Sequence, residues 1–322
     1  MEEVDEEKTT LLFFADHLYD IETAIAIAAL PINIFIIVLS ITRIPPSTAR
    51  TYALNISVTM MISITYEIIY EILQLSFPAL QWWTLSNKPT ETIPLIMDIL
   101  QLFFNAFAIN VYYFQTSFTV QLIYFGFAKP FLFQYLTDTR RLRLLFASGY
   151  MLALFGAITQ ALAIHELTNP LLQTVLGITR AFFQLTAISL MVVFYVLALI
   201  QVIKHAKNQK SLAGSQQNCY KALRSVLIYC TPPNLFLVLS IAEICCLSLF
   251  NHVFIHEEMK ATCEDVTLVT LALRYSRLFI TSTSALFAFS EYRSAVIELA
   301  KKWYNKLICK TPYQISPMTS QE

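Results

Sequence analysis

Long apolar stretches alternate with short polar ones along nearly the whole chain. Seven can be delimited, at residues 21–42, 51–77, 94–127, 144–165, 172–203, 224–250 and 264–290. A helix needs about 20 apolar residues to cross the ~30 Å hydrocarbon core, and each stretch is long enough. The pattern predicts an all-α integral membrane protein, a bundle of seven transmembrane helices. Its loops are too short for a separate soluble domain. No internal repeat is visible, so nothing points to an inverted-repeat transporter. Beyond the seventh stretch, Val296, Leu299, Trp303 and Leu307 recur on one helical face, flanked by Lys301, Lys302 and Lys306. This predicts an amphipathic helix over 291–310 lying on the membrane surface, then a disordered tail at 311–322.

Charge adds an orientation. Of the 22 Lys and Arg, sixteen fall in loops on the side of the C-terminus, including Lys129, Arg140, Arg141, Arg143, Lys204, Lys207, Lys221 and Arg224. Only Lys8, Lys88 and Lys260 fall on the other side. Short basic loops are retained in the cytoplasm. Residues 1–20 are therefore expected to be an extracellular tail, and the C-terminus to be cytoplasmic. That tail is acidic and lacks a basic start, so no cleavable signal peptide is expected and the first span serves as its own insertion signal.

Composition agrees. The chain is 56% hydrophobic and 14% charged, where a soluble domain is nearer 25% charged and this much apolar surface would be sticky. The net charge of zero says little about partners, because the charges are sorted by side. None of the six cysteines, Cys219, Cys230, Cys245, Cys246, Cys263 and Cys309, has metal-site spacing. Cys263 lies in an outer loop and Cys245 and Cys246 near the outer end of the sixth span, which leaves a disulfide open. Cys309, at the end of the amphipathic helix, is a palmitoylation candidate; an unmodified cysteine is the competing reading.

Ionisable residues at membrane depth are costly and usually face the bundle interior. Here they are Glu67 and Glu71 in the second span, Asp98 in the third, Arg180 in the fifth, Glu243 in the sixth, and Arg274 and Arg277 in the seventh. Counting 1.5 Å per residue from the span ends puts the carboxylates in the outer half and Arg274 and Arg277 near the middle. Glu67 and Glu71 share one helical face, as do Arg274 and Arg277. Together they can line a pocket open to the outside; the competing reading is a set of ion pairs that lock the bundle. Phe103, Phe104, Phe107, Tyr112, Tyr113 and Phe114 crowd the third span beside Asn105 and Asn110. They suit a small-molecule cavity, or plain packing and interhelical hydrogen bonding.

Pro232 and Pro233 interrupt the sixth span and predict a kink, pivoting or static. The five histidines lie outside the apolar spans or at their edges, and no HExxH, GxSxG or phosphate-cradling glycine loop occurs. No catalysis, metal, cofactor or nucleic-acid partner is expected.

Local motifs narrow the picture further. The first span carries Leu30-Pro31-Ile32-Asn33. The third leaves the bundle as Ala128-Lys129-Pro130-Phe131-Leu132-Phe133-Gln134-Tyr135. The seventh ends in Phe289-Ser290-Glu291-Tyr292-Arg293-Ser294-Ala295. With this topology, the chain resembles the nematode serpentine chemoreceptors of the G-protein-coupled receptor superfamily. The resemblance covers nearly the whole chain in topology. It departs from rhodopsin-like receptors in lacking an Asp-Arg-Tyr triplet (Leu122-Ile123-Tyr124 stands there), an Asn-Pro-x-x-Tyr motif, and the cysteine that starts the third span. The resemblance implies a plasma-membrane receptor, in sensory cilia for some members. It would bind an odorant or pheromone-like small molecule from outside and engage a heterotrimeric G protein through its basic inner loops. The rival expectation is a seven-span ligand-gated channel or transporter.

Overall fold

The computed structural model describes residues 24–77, 92–164, 169–207 and 279–308, together with single positions between 225 and 266. Among the described residues the structure is helical, with no strand. The helices are α1 (Ala24–Thr42), α2 (Thr48–Ser76), α3 (Thr92–Ala128), α4 (Pro130–Leu136), α5 (Thr139–Ile164), α6 (Pro170–Lys207), α7 (Phe279–Ala288) and α8 (Ser290–Ile308). Five of them, α1, α2, α3, α5 and α6, are long and apolar enough to cross a membrane, which supports a membrane-embedded helical protein. The sixth apolar stretch is helical at Ser225, Leu227, Ile228, Thr231, Ile241, Ala242, Ile244 and Cys245. Below, the end of the bundle where α2 finishes and α3 begins is called upper, and the end carrying α4 lower.

Helix starts follow local chemistry. The Ser47 side chain accepts from Arg50 N at 3.1 Å and caps α2. Asn169 Oδ1 accepts from Leu171 N and Leu172 N at 2.9 and 3.3 Å, and Pro170 occupies the first turn of α6, where its missing N–H costs nothing. α5 begins at Thr139, ahead of its apolar stretch, so Arg140, Arg141 and Arg143 are the first turn of a helix rather than loop.

The α3 helix is central, packed against α2, α5 and α6. Its middle, from Ala108 to Ser117, is buried on every side. Close approach to α5 follows from Gly149, Ala153, Ala157 and Ala161, small residues four apart that lie buried on one face. In a bilayer, helix association rests on such close packing and on interhelical hydrogen bonds, since lipid is as apolar as leucine. The outer faces carry exposed apolar side chains throughout, among them Ile27, Ile41, Phe182 and Val193.

The C-terminal helix is tied back to the first. Ser40 Oγ donates to Ile36 O at 2.6 Å, so the Tyr292 hydroxyl donates to Ser40 Oγ, also at 2.6 Å. Burial pushes the Tyr292 phenol above its ordinary value. The apolar face of α8 thus begins at Tyr292 and Ala295, both buried, before the predicted Val296 and Leu299, which pack partly against the core. Trp303 is 67% exposed, so that end of the face rests on no protein among the described residues. Tyr292→Phe should cost about 1 kcal/mol and speed amide exchange across α8 without affecting α3. Unchanged exchange in α8 would show that the phenol does not anchor it.

Candidate functional site

The upper halves of α2 and α3 enclose a polar cluster built on Glu67, which is 3% exposed. Gln101 Nε2 donates to Glu67 Oε1 at 2.7 Å, and Asn105 Nδ2 to Glu67 Oε2 at 2.8 Å. Asn105 Oδ1 in turn accepts from Ser63 Oγ at 2.5 Å. One turn higher, the Tyr70 hydroxyl donates to the carboxylate of Asp98, itself 4% exposed. Lower down, the Tyr52 hydroxyl and Thr116 Oγ1 are 2.6 Å apart. Residues 52, 63, 67 and 70 of α2 thus meet 116, 105, 101 and 98 of α3. Each step up one helix is matched by an equal step back along the other, as an antiparallel pair requires.

Aromatic rings border the cluster. Tyr66 lies with its ring 4.9 Å from that of Phe104, Phe104 is edge-on to Phe103, and Phe103 stacks on Phe107. This is the composition of a small-molecule site, apolar walls with a few fixed polar groups. Tyr112, Tyr113 and Phe114, expected beside it, are core side chains.

The α3 face that meets Glu67 continues downward. Gln101, Asn105, Ala108, Tyr112, Gln115 and Thr119 recur at alternating four- and three-residue steps, the spacing of a helix seam. Gln115 is fully buried, and neither Oε1 nor Nε2 meets a hydrogen-bonding partner among the described residues; Thr119 Oγ1 is in the same state. On the opposite side of α3, Gln184 Nε2 of α6 donates to Asn110 Oδ1 at 2.9 Å.

Of the ligand candidates expected from the sequence, the structure brings Glu67 and Asn105 into direct contact and places Asp98 one turn above them. Glu71 is half-buried, as is Arg180 on α6. Glu243, Arg274 and Arg277 lie outside the described residues, as do Pro232 and Pro233 of the expected kink, Lys221, Arg224 and Cys309. Next to the prolines, Thr231 Oγ1 donates to Leu227 O at 2.9 Å and pairs with the Tyr195 hydroxyl at 2.6 Å, linking the sixth stretch to α6. Among the lower-end cations, Lys129, Arg140, Arg141, Arg143 and Lys204 are exposed, and Lys207 ends α6. Arg141 is engaged locally: its guanidinium lies 3.4 Å from the Tyr135 ring centre and its Nη1 donates to Tyr135 O at 3.0 Å.

Sequence reasoning missed Gln101, Ser63 and Tyr70, the neutral partners of the polar cluster. A signal existed for Gln101, which stands one turn before Asn105 on α3; Ser63 and Tyr70, on α2, carried none.

The disulfide left open by the sequence joins Cys246 to Cys263, with Cα atoms 5.3 Å apart, within the usual range. Closing a loop of this size contributes about 3 kcal/mol. Cys246→Ser and Cys263→Ser should therefore lower the melting temperature alike, and the double substitution no further. Unequal single effects would show that the sulfurs act separately.

No protein-family model matches the chain, and no curated protein does.

Proposed function

We propose that the chain is a seven-span chemosensory receptor of the G-protein-coupled kind, with its N-terminus outside and its C-terminus in the cytoplasm of the plasma membrane. The observation that carries the reading is the Glu67 cluster. It is a buried carboxylate fixed by two amides, bordered by aromatic rings, at the end of the bundle that the charge distribution assigns to the outside. A ligand offering a donor or a cation to Glu67 would compete with Gln101 and Asn105 and so favour one helix arrangement over another, which requires differential affinity for the two. Further support comes from the Cys246–Cys263 disulfide, which belongs on an oxidising face. The seven apolar stretches and the basic loops add topology, and the resemblance to nematode chemoreceptors supplies the G protein and the small odorant-like ligand.

A channel or transporter is the second reading, and it is favoured by Gln115 and Thr119 of α3, whose side chains are buried without a hydrogen-bonding partner among the described residues. The two separate in cells expressing the full chain, screened with small amines, alcohols and ketones under both a second-messenger and a conductance readout. A response abolished by blocking G-protein signalling supports the receptor. Current that persists in excised patches without nucleotide overturns it. Glu67→Gln, which keeps the shape of the cluster and removes its charge, is expected to blunt the response to amines first.

A further inference from the structure

The lower end of α5 carries a groove whose arginines the receptor reading turns toward the G protein. It has a volume of about 470 Å³ and is lined by Asp138, Thr139, Arg140, Arg143, Leu144 and Ala147. Two guanidiniums face one carboxylate, so the lining carries net positive charge. Its position along α5 is the informative part. Arg140 stands one turn before Leu144, which is 63% exposed, and the same face continues through Met151 and Phe155, also exposed. The face is cationic for one turn and apolar for the turns that follow, the profile of a helix passing from headgroup depth into hydrocarbon. A soluble partner can reach the arginines but not the stripe beneath them. A phospholipid reaches both.

We propose that this groove binds an anionic phospholipid, its phosphate between Arg140 and Arg143 and its acyl chains along Leu144 and Met151. Guanidinium forks suit phosphate oxygens, to which they donate in pairs, and the volume is in the range of small-molecule sites. Arg141, one residue away, is occupied by Tyr135 and does not line the groove. The proposal needs only that the chain lies in a bilayer, so it stands or falls separately from the receptor reading.

The test uses the full-length protein in detergent, washed with phosphatidylserine or phosphatidylcholine and examined by native mass spectrometry. The wild type should retain phosphatidylserine selectively. Arg140→Gln with Arg143→Gln should weaken retention roughly thirtyfold, and Arg141→Gln should leave it unchanged. Ala147→Trp fills the groove without altering charge and should also abolish retention, which keeps the test decisive if the double arginine variant folds poorly. Equal retention of the two lipids by the wild type would overturn the proposal, as would equal loss with Arg141→Gln. Displacement of the lipid by millimolar inorganic phosphate would likewise overturn it in favour of a simple phosphate site.

Discussion

Glu67→Ala should lower the melting temperature of the detergent-solubilised protein by roughly 3 °C, and Glu67→Gln by less. The alanine removes the acceptor for Gln101 Nε2 and Asn105 Nδ2 at once. Each buried donor left without a partner costs about 1–3 kcal/mol, partly offset because a polar group in a membrane protein finds substitute partners. A net loss of about 2 kcal/mol corresponds to the stated shift for a bundle of this size. Glutamine keeps one carbonyl acceptor in place of two carboxylate oxygens. It therefore separates the structural work of the side chain from its charge. A wild-type melting curve for Glu67→Ala would mean that the cluster contributes nothing to the fold.

The second large effect is expected at α5. A Cβ on Gly156 would lie 2.7 Å from Asn110 Nδ2 and 3.1 Å from its Cγ. Asn110 is buried and already held by Gln184, so it has to leave that bond or push α3 and α5 apart. Helix propensity alone makes Gly→Ala favourable by up to about 1 kcal/mol. Gly156→Ala should reverse that sign and destabilise by about 1–3 kcal/mol, as overpacking does. Gly149→Ala, whose Cβ would meet the Phe118 ring at 3.3 Å, should fall near neutral, because that ring can shift by a few tenths of an ångström. Combining Gly156→Ala with Asn110→Ala should cost less than the sum of the two singles, since the second change removes the clash. Strict additivity of the melting shifts would rule out the contact as the cause.

The five long apolar helices were readable from hydropathy and length. The α3 stretch predicted at 94–127 is found as Thr92–Ala128, because an apolar run of that length has few alternatives in a bilayer. The starts were less readable: α5 takes in its basic turn, where hydropathy falls but helix propensity does not. The site was readable by charge, and its neutral partners only in part. Glu67 and Asp98 stood out as ionisable residues in apolar surroundings, and the sequence suggested guanidiniums to meet them. Among the described residues they accept hydrogen bonds from Gln101, Asn105 and Tyr70; Asn105 stood out in its apolar span, whereas Gln101 and Tyr70 read as ordinary polar side chains. Asn110 and Gln184 needed three dimensions, since they meet across 74 residues of sequence.

The matched steps between α2 and α3 restrict what can move. Sliding one helix past the other by a turn, about 5.4 Å, would break the Tyr52, Ser63, Glu67 and Tyr70 contacts together. These contacts act as rivets through two plates, and the pair is a stiff beam running the depth of the bundle. Any signal that crosses the membrane past this beam has to be carried by helices turning around it, not by the beam changing length.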